Sequence, residues 1–275
     1  MIIITTQCFY PKIGGIEALM TGMAENLSSI GKDVLVLADG SKDTIEDGNQ
    51  KYSIKRFHGW KPLRRFKKAR YLEEICRREN VEIIYADSWK SVEYLNKKNK
   101  KILVLAHGTE IPKQYWTLMI DTLRFKKKRI IKSYKNVYKI IANSTYTKDL
   151  MHASLKIDYE KIKIIHPGID VYREFVSDEE RRFVKRIIHN RSPVITTLAR
   201  VEKRKGHKYI INAINELKEQ FPNIIYLIAG KGPYLETIKN YVKELNLSDF
   251  VFFLGWITEP EKSVILKNSD IFAMT

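Results

Sequence analysis

The chain has 275 residues, 44% hydrophobic and 29% charged, with two cysteines and a formal net charge of +17. That length and apolar content allow two domains, each with its own core. No stretch approaches the ~18 uninterrupted apolar residues of a membrane span, Met1-Ile2-Ile3-Ile4 lacks the flanks of a secretory signal, and Cys8 and Cys76 stand in no ligand-like cluster, which argues against disulfide or zinc frameworks and for a reducing cytoplasm.

Short apolar, β-branched runs alternate with stretches of helical period, the pattern of βα units around a parallel sheet. The first strand is expected at Ile2 to Thr5. The turn beyond it carries Gly14-Gly15-Ile16-Glu17 just ahead of a helix, where a glycine pair lets backbone amides approach a phosphate and the helix dipole favours an anion. The same pair also suits a plain tight turn, and it is not the GxGxxG fingerprint of a dinucleotide site. Leu19, Met23, Leu27 and Ile30 recur at helical spacing, Gly31 stands where a left-handed cap belongs, and a strand is expected at Val34 to Ala38.

A basic stretch follows, Lys61-Pro62-Leu63-Arg64-Arg65-Phe66-Lys67-Lys68-Ala69-Arg70, and a second lies at Arg124-Phe125-Lys126-Lys127-Lys128-Arg129-Ile130-Ile131-Lys132. Cations outnumber acids by 32 to 18 in residues 1–168 and by 17 to 14 in residues 169–275, so the excess belongs to the first part. Charge runs are ordinarily solvated faces. With aromatic and aliphatic residues interleaved, they also have the composition of surfaces that lie on anionic membranes or contact nucleic-acid phosphates.

Between and beyond these runs, strands are expected at Ile83 to Ala86, Ile102 to Ala106, Lys139 to Ala142 and Ile162 to Ile165. Asp87-Ser88-Trp89 reads as an N-cap for the next helix. His107-Gly108-Thr109-Glu110 puts an imidazole and a carboxylate at the strand edge where such folds bind ligands, although a lone histidine is more often structural.

His166-Pro167-Gly168 suits a linker between a domain at 1–168 and another at 169–275. In the second, strands are expected at Val194 to Ala199, Ile224 to Ala229, Phe250 to Leu254 and Ile271 to Met274, with apolar helical stripes at Ile210, Ala213, Ile214, Leu217 and Phe221 and at Leu235, Ile238, Val242 and Leu245. Arg200 leaves a buried strand at its carboxyl end and Lys205 lies just before the next helix, so both cations can converge on one anion in a crevice between the domains, with Glu202 as their local neutraliser. Gly230-Lys231-Gly232-Pro233 and Gly255-Trp256-Ile257 end two further strands with glycines, a feature of ligand-contacting main chain and of ordinary βα turns alike.

In this order, Gly14-Gly15, His107-Gly108-Thr109-Glu110, Asn143-Ser144, Pro167-Gly168-Ile169-Asp170, Arg200 with Lys205-Gly206, and Gly230-Lys231-Gly232-Pro233 resemble the large retaining glycosyltransferase family 4. The resemblance covers nearly the whole chain and implies the α/β GT-B fold, two Rossmann-like doubly wound domains, the second incomplete. It implies a nucleotide-diphosphate sugar as donor, bound in part by residues 169–275, and a glycan or lipid-linked acceptor bound by residues 1–168. Arg200 and Lys205 would bind the diphosphate and stabilise the leaving nucleotide, with Gly14, Gly15, Gly230 and Gly232 as donor contacts. His107 would lie near the transferred sugar and Ile257 beside the base. The family needs no obligatory metal or cofactor, and this sequence holds no Asp-x-Asp pair to bind one.

The family also carries two glutamates, seven residues apart, beyond the strand matching Ile271 to Met274. The chain ends at Thr275 without them, from which a C-terminally truncated chain of uncertain activity is expected. The basic segments lead us to expect peripheral contact with an anionic membrane at its inner face, and no nucleic-acid partner, since no reader motif is present. The competing readings are a GT-B nucleotide-sugar epimerase, a nucleic-acid-binding module and an inert basic fragment.

Overall fold

The computed structural model describes residues 1–12, 14–40, 50–108, 111, 120–168 and 177–274, with backbone alone for 120–124, 180, 181 and 183. Thr109, Glu110, Ile169 and Asp170, quoted above, lie outside the described residues. The chain divides into two compact units, Met1–Asp170 and Val171–Thr275.

Unit 1 holds a seven-stranded sheet, ordered β3-β2-β1-β4-β5-β6-β7 and parallel at every pairing. Its strands are β1 (Ile2–Thr5), β2 (Val34–Asp39), β3 (Ser53–Phe57), β4 (Ile83–Ala86), β5 (Ile102–Ala106), β6 (Lys139–Ala142) and β7 (Ile162–Ile164). Helices α1 (Gly15–Ser29), α2 (Lys61–Arg78), α3 (Ile120–Lys135) and α4 (Thr145–Leu155) connect them. The strands read as continuous apolar runs because helices cover both faces of such a sheet. Ile3, Ile84, Ile102 and Val104 enter one core layer, and Ile2, Ile4, Val34 and Val36 the other. Each fully buried aliphatic side chain contributes about 1.5–3 kcal/mol.

Three details differ from the periodicity. Strand β3 lies at the sheet edge as Ser-Ile-Lys-Arg-Phe, too polar to register as a strand. On α1 the buried residues are Met20 and Ala24, with Leu19, Met23 and Leu27 on the flank of the stripe. Ile30 lies past the helix end and is 70% exposed. Gly31 adopts φ +78°, as a left-handed cap requires.

Unit 2 holds a four-stranded parallel sheet ordered β10-β9-β8-β11, from β8 (Val194–Leu198), β9 (Ile225–Ala229), β10 (Val251–Gly255) and the two-residue β11 (Ile271–Phe272). Helices α5 (Asp178–Ile188), α6 (His207–Leu217), α7 (Leu235–Glu244) and α8 (Glu259–Lys267) pack around it. The core stripe of α6 is Ile210, Ile211 and Ile214, whereas Phe221 stands beyond the helix and is 39% exposed.

Both sheets reverse their winding at one point, between β1 and β4 in unit 1 and between β8 and β11 in unit 2. In open α/β sheets ligands bind at the carboxyl ends of the strands flanking such a point.

Candidate functional site

In unit 2, β8 delivers Ala199, Arg200 and Val201 to its switch point. Their backbone is laced to the next strand end: Ala199 N–H donates to the Ala229 carbonyl (3.1 Å), Val201 N–H to Lys231 (3.1 Å) and Tyr234 N–H to Val201 (3.1 Å). Gly230 N–H in turn donates to the Gly255 carbonyl at 2.6 Å. A Cβ on Gly230 would lie 2.0 Å from the Ala199 oxygen, and one on Gly232 2.2 Å from the Val201 oxygen. The space at both glycines is thus filled by the Arg200 loop, and their absent side chains permit that approach.

The Arg200 side chain is 69% exposed, with Nε 3.3 Å from Glu202. The same carboxylate, 21% exposed, also holds Arg204 at 2.7 Å. Lys205 closes a 3-10 turn over Lys203–Lys205 and directs Nζ to the Met274 sulfur at 3.6 Å, just past β11. Helix α6 begins immediately afterwards without a side-chain cap, and its positive end adds to the field of the two cations. Ile257 packs with Val264 and Ile265 against the apolar layer under β10.

Behind this loop runs a buried chain that the sequence did not reveal. His207, 1% exposed, shares a proton at 3.0 Å with the Tyr226 hydroxyl, which donates to Thr197 Oγ1 (2.9 Å), which donates to the Ala273 carbonyl (2.5 Å). Because Tyr226 spends its proton on Thr197, His207 Nδ1 is the donor and Nε2 carries no proton, with no hydrogen-bond partner among the described residues. Burial, then the charge of Lys205, lowers the His207 pKa. Burial pushes Tyr226 up to about 12 against the opposing effect of its bond to Thr197.

In unit 1, Gly14 caps α1 and Gly15 opens it; among the described residues, no atom lies within 4 Å of where a Gly15 Cβ would stand. Cys8, on the same loop, has its thiol pushed up to about 12 by burial first, then by the charges of Asp87 and Glu17, so it stays protonated. In the segment Asp87-Ser88-Trp89, Asp87 ties strand ends together. It is 2% exposed and accepts from Thr6 Oγ1 (3.0 Å), Gln7 N–H (2.7 Å), Ser88 Oγ (3.2 Å) and Ser91 Oγ (2.5 Å), which joins β1 to β4 at the switch point. The residue at the cap position of the turn Trp89–Ser91 is Ser88. His107, just past β5, donates from Nε2 to the Asp87 carbonyl at 2.9 Å, which fixes its tautomer.

Of the cations read as surface charge, Lys68 is buried and Arg64 is largely covered. Lys68, 1% exposed, donates to the Thr6 carbonyl (2.6 Å) and Asp39 (2.8 Å), and Arg64 binds the other oxygen of Asp39 at 2.7 Å. Desolvation lowers the Lys68 pKa, with Asp39 opposing it. This pairing bridges 29 residues and leaves no local signal. Arg200, Lys205, Gly230 and Gly232 are therefore brought to adjoining loops of unit 2, whereas Gly14, Gly15 and His107 belong to strand ends of unit 1. Among the described residues, no group of three or more His, Cys, Asp or Glu side chains is arranged to hold a metal.

Residues 13–173 match the sequence model of Glycosyltransferase Family 4, and residues 178–275 that of Glycosyl transferases group 1. The GDP-mannose-dependent alpha-(1-6)-phosphatidylinositol monomannoside mannosyltransferase of Mycolicibacterium smegmatis is 29% identical over 177 residues, covering 64% of this chain and 44% of that protein. The alpha-monoglucosyldiacylglycerol synthase of Acholeplasma laidlawii is 23% identical over 299 residues, covering 98% of this chain and 73% of that one. The chain thus spans less than half of the first relative's length. Among solved structures, Anabaena HepE in complex with UDP aligns with a TM-score of 0.76 at 16% identity, covering 100% of this chain and 73% of that one. WaaG, a glycosyltransferase involved in lipopolysaccharide biosynthesis, gives 0.65 at 12% identity, covering 99% and 74%. At these identities the likeness is one of fold, two Rossmann-like units of the GT-B type. With one family's model spanning more than half of its length, the chain belongs to glycosyltransferase family 4.

Proposed function

We propose that this protein binds a nucleoside-diphosphate sugar and transfers the sugar, with retention of configuration, to a glycan or lipid-linked acceptor. The observation that carries this reading is the Arg200 loop, locked by backbone bonds at the switch point of unit 2 while the Arg200 side chain stays exposed. Two cations and a helix N-terminus there make a cradle for a diphosphate.

Arg200 and Lys205 hold the diphosphate and take up the charge that develops as the nucleotide leaves. Removing one such donor typically raises the barrier by about 2.7–4 kcal/mol. Gly230 and Gly232 shape the loop that carries Arg200, and Ile257 lies beside the base. On unit 1, the acceptor-binding part, Gly14 and Gly15 offer amides to phosphate and His107 lies near the transferred sugar. The reaction uses no obligatory metal or cofactor. One relative is named as a phosphatidylinositol monomannoside mannosyltransferase and another as a monoglucosyldiacylglycerol synthase, which supports a lipid-linked acceptor met at the inner face of an anionic membrane. Among the described residues no helix is long and apolar enough to cross one.

The test is incubation with UDP-, GDP- and ADP-sugars and a glycolipid acceptor, followed by NMR of the products. The expected result is free nucleoside diphosphate and a glycoside with the donor's anomeric configuration. An inverted glycoside, or an epimerised sugar still on its nucleotide, overturns the reading.

A further inference from the structure

Strand β11 is tied to β8 largely through polar groups. It has two residues, Ile271 and Phe272, and both side chains are about half exposed. Val194 N–H donates to the Asp270 carboxylate (2.7 Å), Asp270 N–H to the Val194 carbonyl (2.9 Å) and Ala273 N–H to the Thr196 carbonyl (2.9 Å). Thr196 Oγ1 lies 2.6 Å from Ser269 Oγ, which gives its own proton to the Ile265 carbonyl, so Thr196 is the donor of that pair. Thr197 adds the bond to the Ala273 carbonyl.

This last bond belongs to a ring. From the Ala273 carbonyl the bonds run back through Thr197 and Tyr226 to His207, at the start of α6. In the other direction the next residue is Met274, whose sulfur accepts from Lys205 Nζ, and Lys205 precedes His207 by two residues. Gly206 makes the turn between them at φ +68°. Strands β8 and β9, the first turn of α6 and the residues past β11 are thereby joined in one loop of bonds that includes the Lys205 ammonium. Thr197, Tyr226 and His207 are all buried. Stability alone does not call for them, because exchanging both partners of a buried hydrogen bond for apolar groups of the same shape is nearly neutral. A buried polar chain is instead satisfied in only one arrangement of the segments that it joins.

We infer that His207, Tyr226 and Thr197 are positioning residues of the diphosphate cradle: they set the separation between the Lys205 turn and the backbone past β11, and so hold the Lys205 ammonium where the phosphates come. Being buried, none of the three reaches the ligand; each acts through Lys205. A chain that merely satisfied its own polar groups would move stability and leave affinity alone. The inference rests on the proposed donor reading for what the cradle holds. The tie that it asserts between Tyr226 and Met274 is present without any nucleotide, so it can fail while diphosphate binding stands, and stand where that binding fails.

The experiment pairs methyl NMR of isotope-labelled methionines with isothermal titration of the whole chain by UDP, GDP and ADP. The Met274 signal is assigned by its loss in Met274→Leu. Tyr226→Phe removes one oxygen atom and keeps the ring; without nucleotide it is expected to shift the Met274 signal, as is Thr197→Val, whereas Thr197→Ser, which keeps the hydroxyl, is expected to restore it. In the titrations Tyr226→Phe and Thr197→Val are expected to weaken diphosphate binding about threefold to tenfold, the worth of one hydrogen bond, with Thr197→Ser within about twofold of the native chain. In a Lys205→Gln background Tyr226→Phe is expected to cost less than about twofold, because residues that act through one group are not additive. An unmoved Met274 signal with unchanged affinity, whatever the melting points, overturns the inference. So do additive losses in the Lys205→Gln background, or a Thr197→Ser chain as impaired as Thr197→Val. Should Thr197→Val fail to fold, Tyr226→Phe and Lys205→Gln carry the test. If the native chain binds no diphosphate, the donor reading has failed and the Met274 signal decides: a shift in Tyr226→Phe supports the ring, and no shift overturns it.

Discussion

Gly232 lies so close to Val201 that a methyl group on it would stand 2.2 Å from the Val201 carbonyl oxygen. The Arg200 loop and the Gly230–Gly232 loop therefore meet backbone to backbone, and the position of the guanidinium depends on a residue thirty-two places away. Gly232→Ala must push the loops apart, at a cost of about 1–3 kcal/mol in urea denaturation, and should weaken nucleoside diphosphate binding at least tenfold. Unchanged affinity in a destabilised variant would separate the glycine from the cradle.

Glu202 is shared by Arg200 and Arg204, both of whose side chains are mostly exposed. Such pairs contribute about 0–1 kcal/mol, so Glu202→Gln should leave the melting point nearly unchanged. Without the competing carboxylate, isothermal titration should show a nucleoside diphosphate bound several-fold more tightly. A tenfold loss would mean that Glu202 instead holds the arginines in place.

His207 carries a pH dependence of definite sign. Its folded pKa is lowered below the ordinary 6.5, so between the two values the unfolded chain binds the extra proton and stability rises with pH. Unit 2 should therefore lose stability as pH falls below about 6.5, a loss complete once the folded pKa is passed. Urea denaturation at pH 7.5 and 5.5 should show a drop in the native chain that is smaller in His207→Gln; equal drops would contradict the assignment.

Lys68 binds Asp39 where neither side chain is more than 4% exposed. Removing one member of a buried pair typically costs about 3–5 kcal/mol. Since Arg64 still engages Asp39, Lys68→Met should fall at the lower end of that range, and Arg64→Met, at a position 16% exposed, should cost less. Chemical denaturation of the two variants measures both; the reverse order would contradict the network.

The fold was legible in the sequence wherever burial on both faces wrote an apolar run, as in Ile2–Thr5 and Ile225–Ala229. It was not legible at the edge, where β3 reads Ser-Ile-Lys-Arg-Phe, nor at helix ends, where Ile30 and Phe221 continue the spacing after the helix has stopped. Parallel βα order places loops at strand carboxyl ends, so the positions of Arg200, Lys205 and His107 could be anticipated. Their partners could not. Whether Glu202 serves one arginine or two, whether Asp87 caps a turn or ties β1 to β4, and whether Arg64 and Lys68 face water or Asp39 are settled by contacts between residues far apart in the chain. Composition cannot separate a solvated cation from a buried one.

The central claim is that Arg200 and Lys205 grip a diphosphate. The most direct measurement is isothermal titration of the chain, and of its Arg200→Ala and Lys205→Ala variants, with UDP, GDP and ADP. The account predicts that at least one diphosphate binds, more tightly than the corresponding monophosphate, and that each substitution weakens it about tenfold to a hundredfold, as expected for charge-assisted bonds of about 1.5–3 kcal/mol, with no change in melting point. Absence of binding by all three, or equal binding after both substitutions, would contradict it.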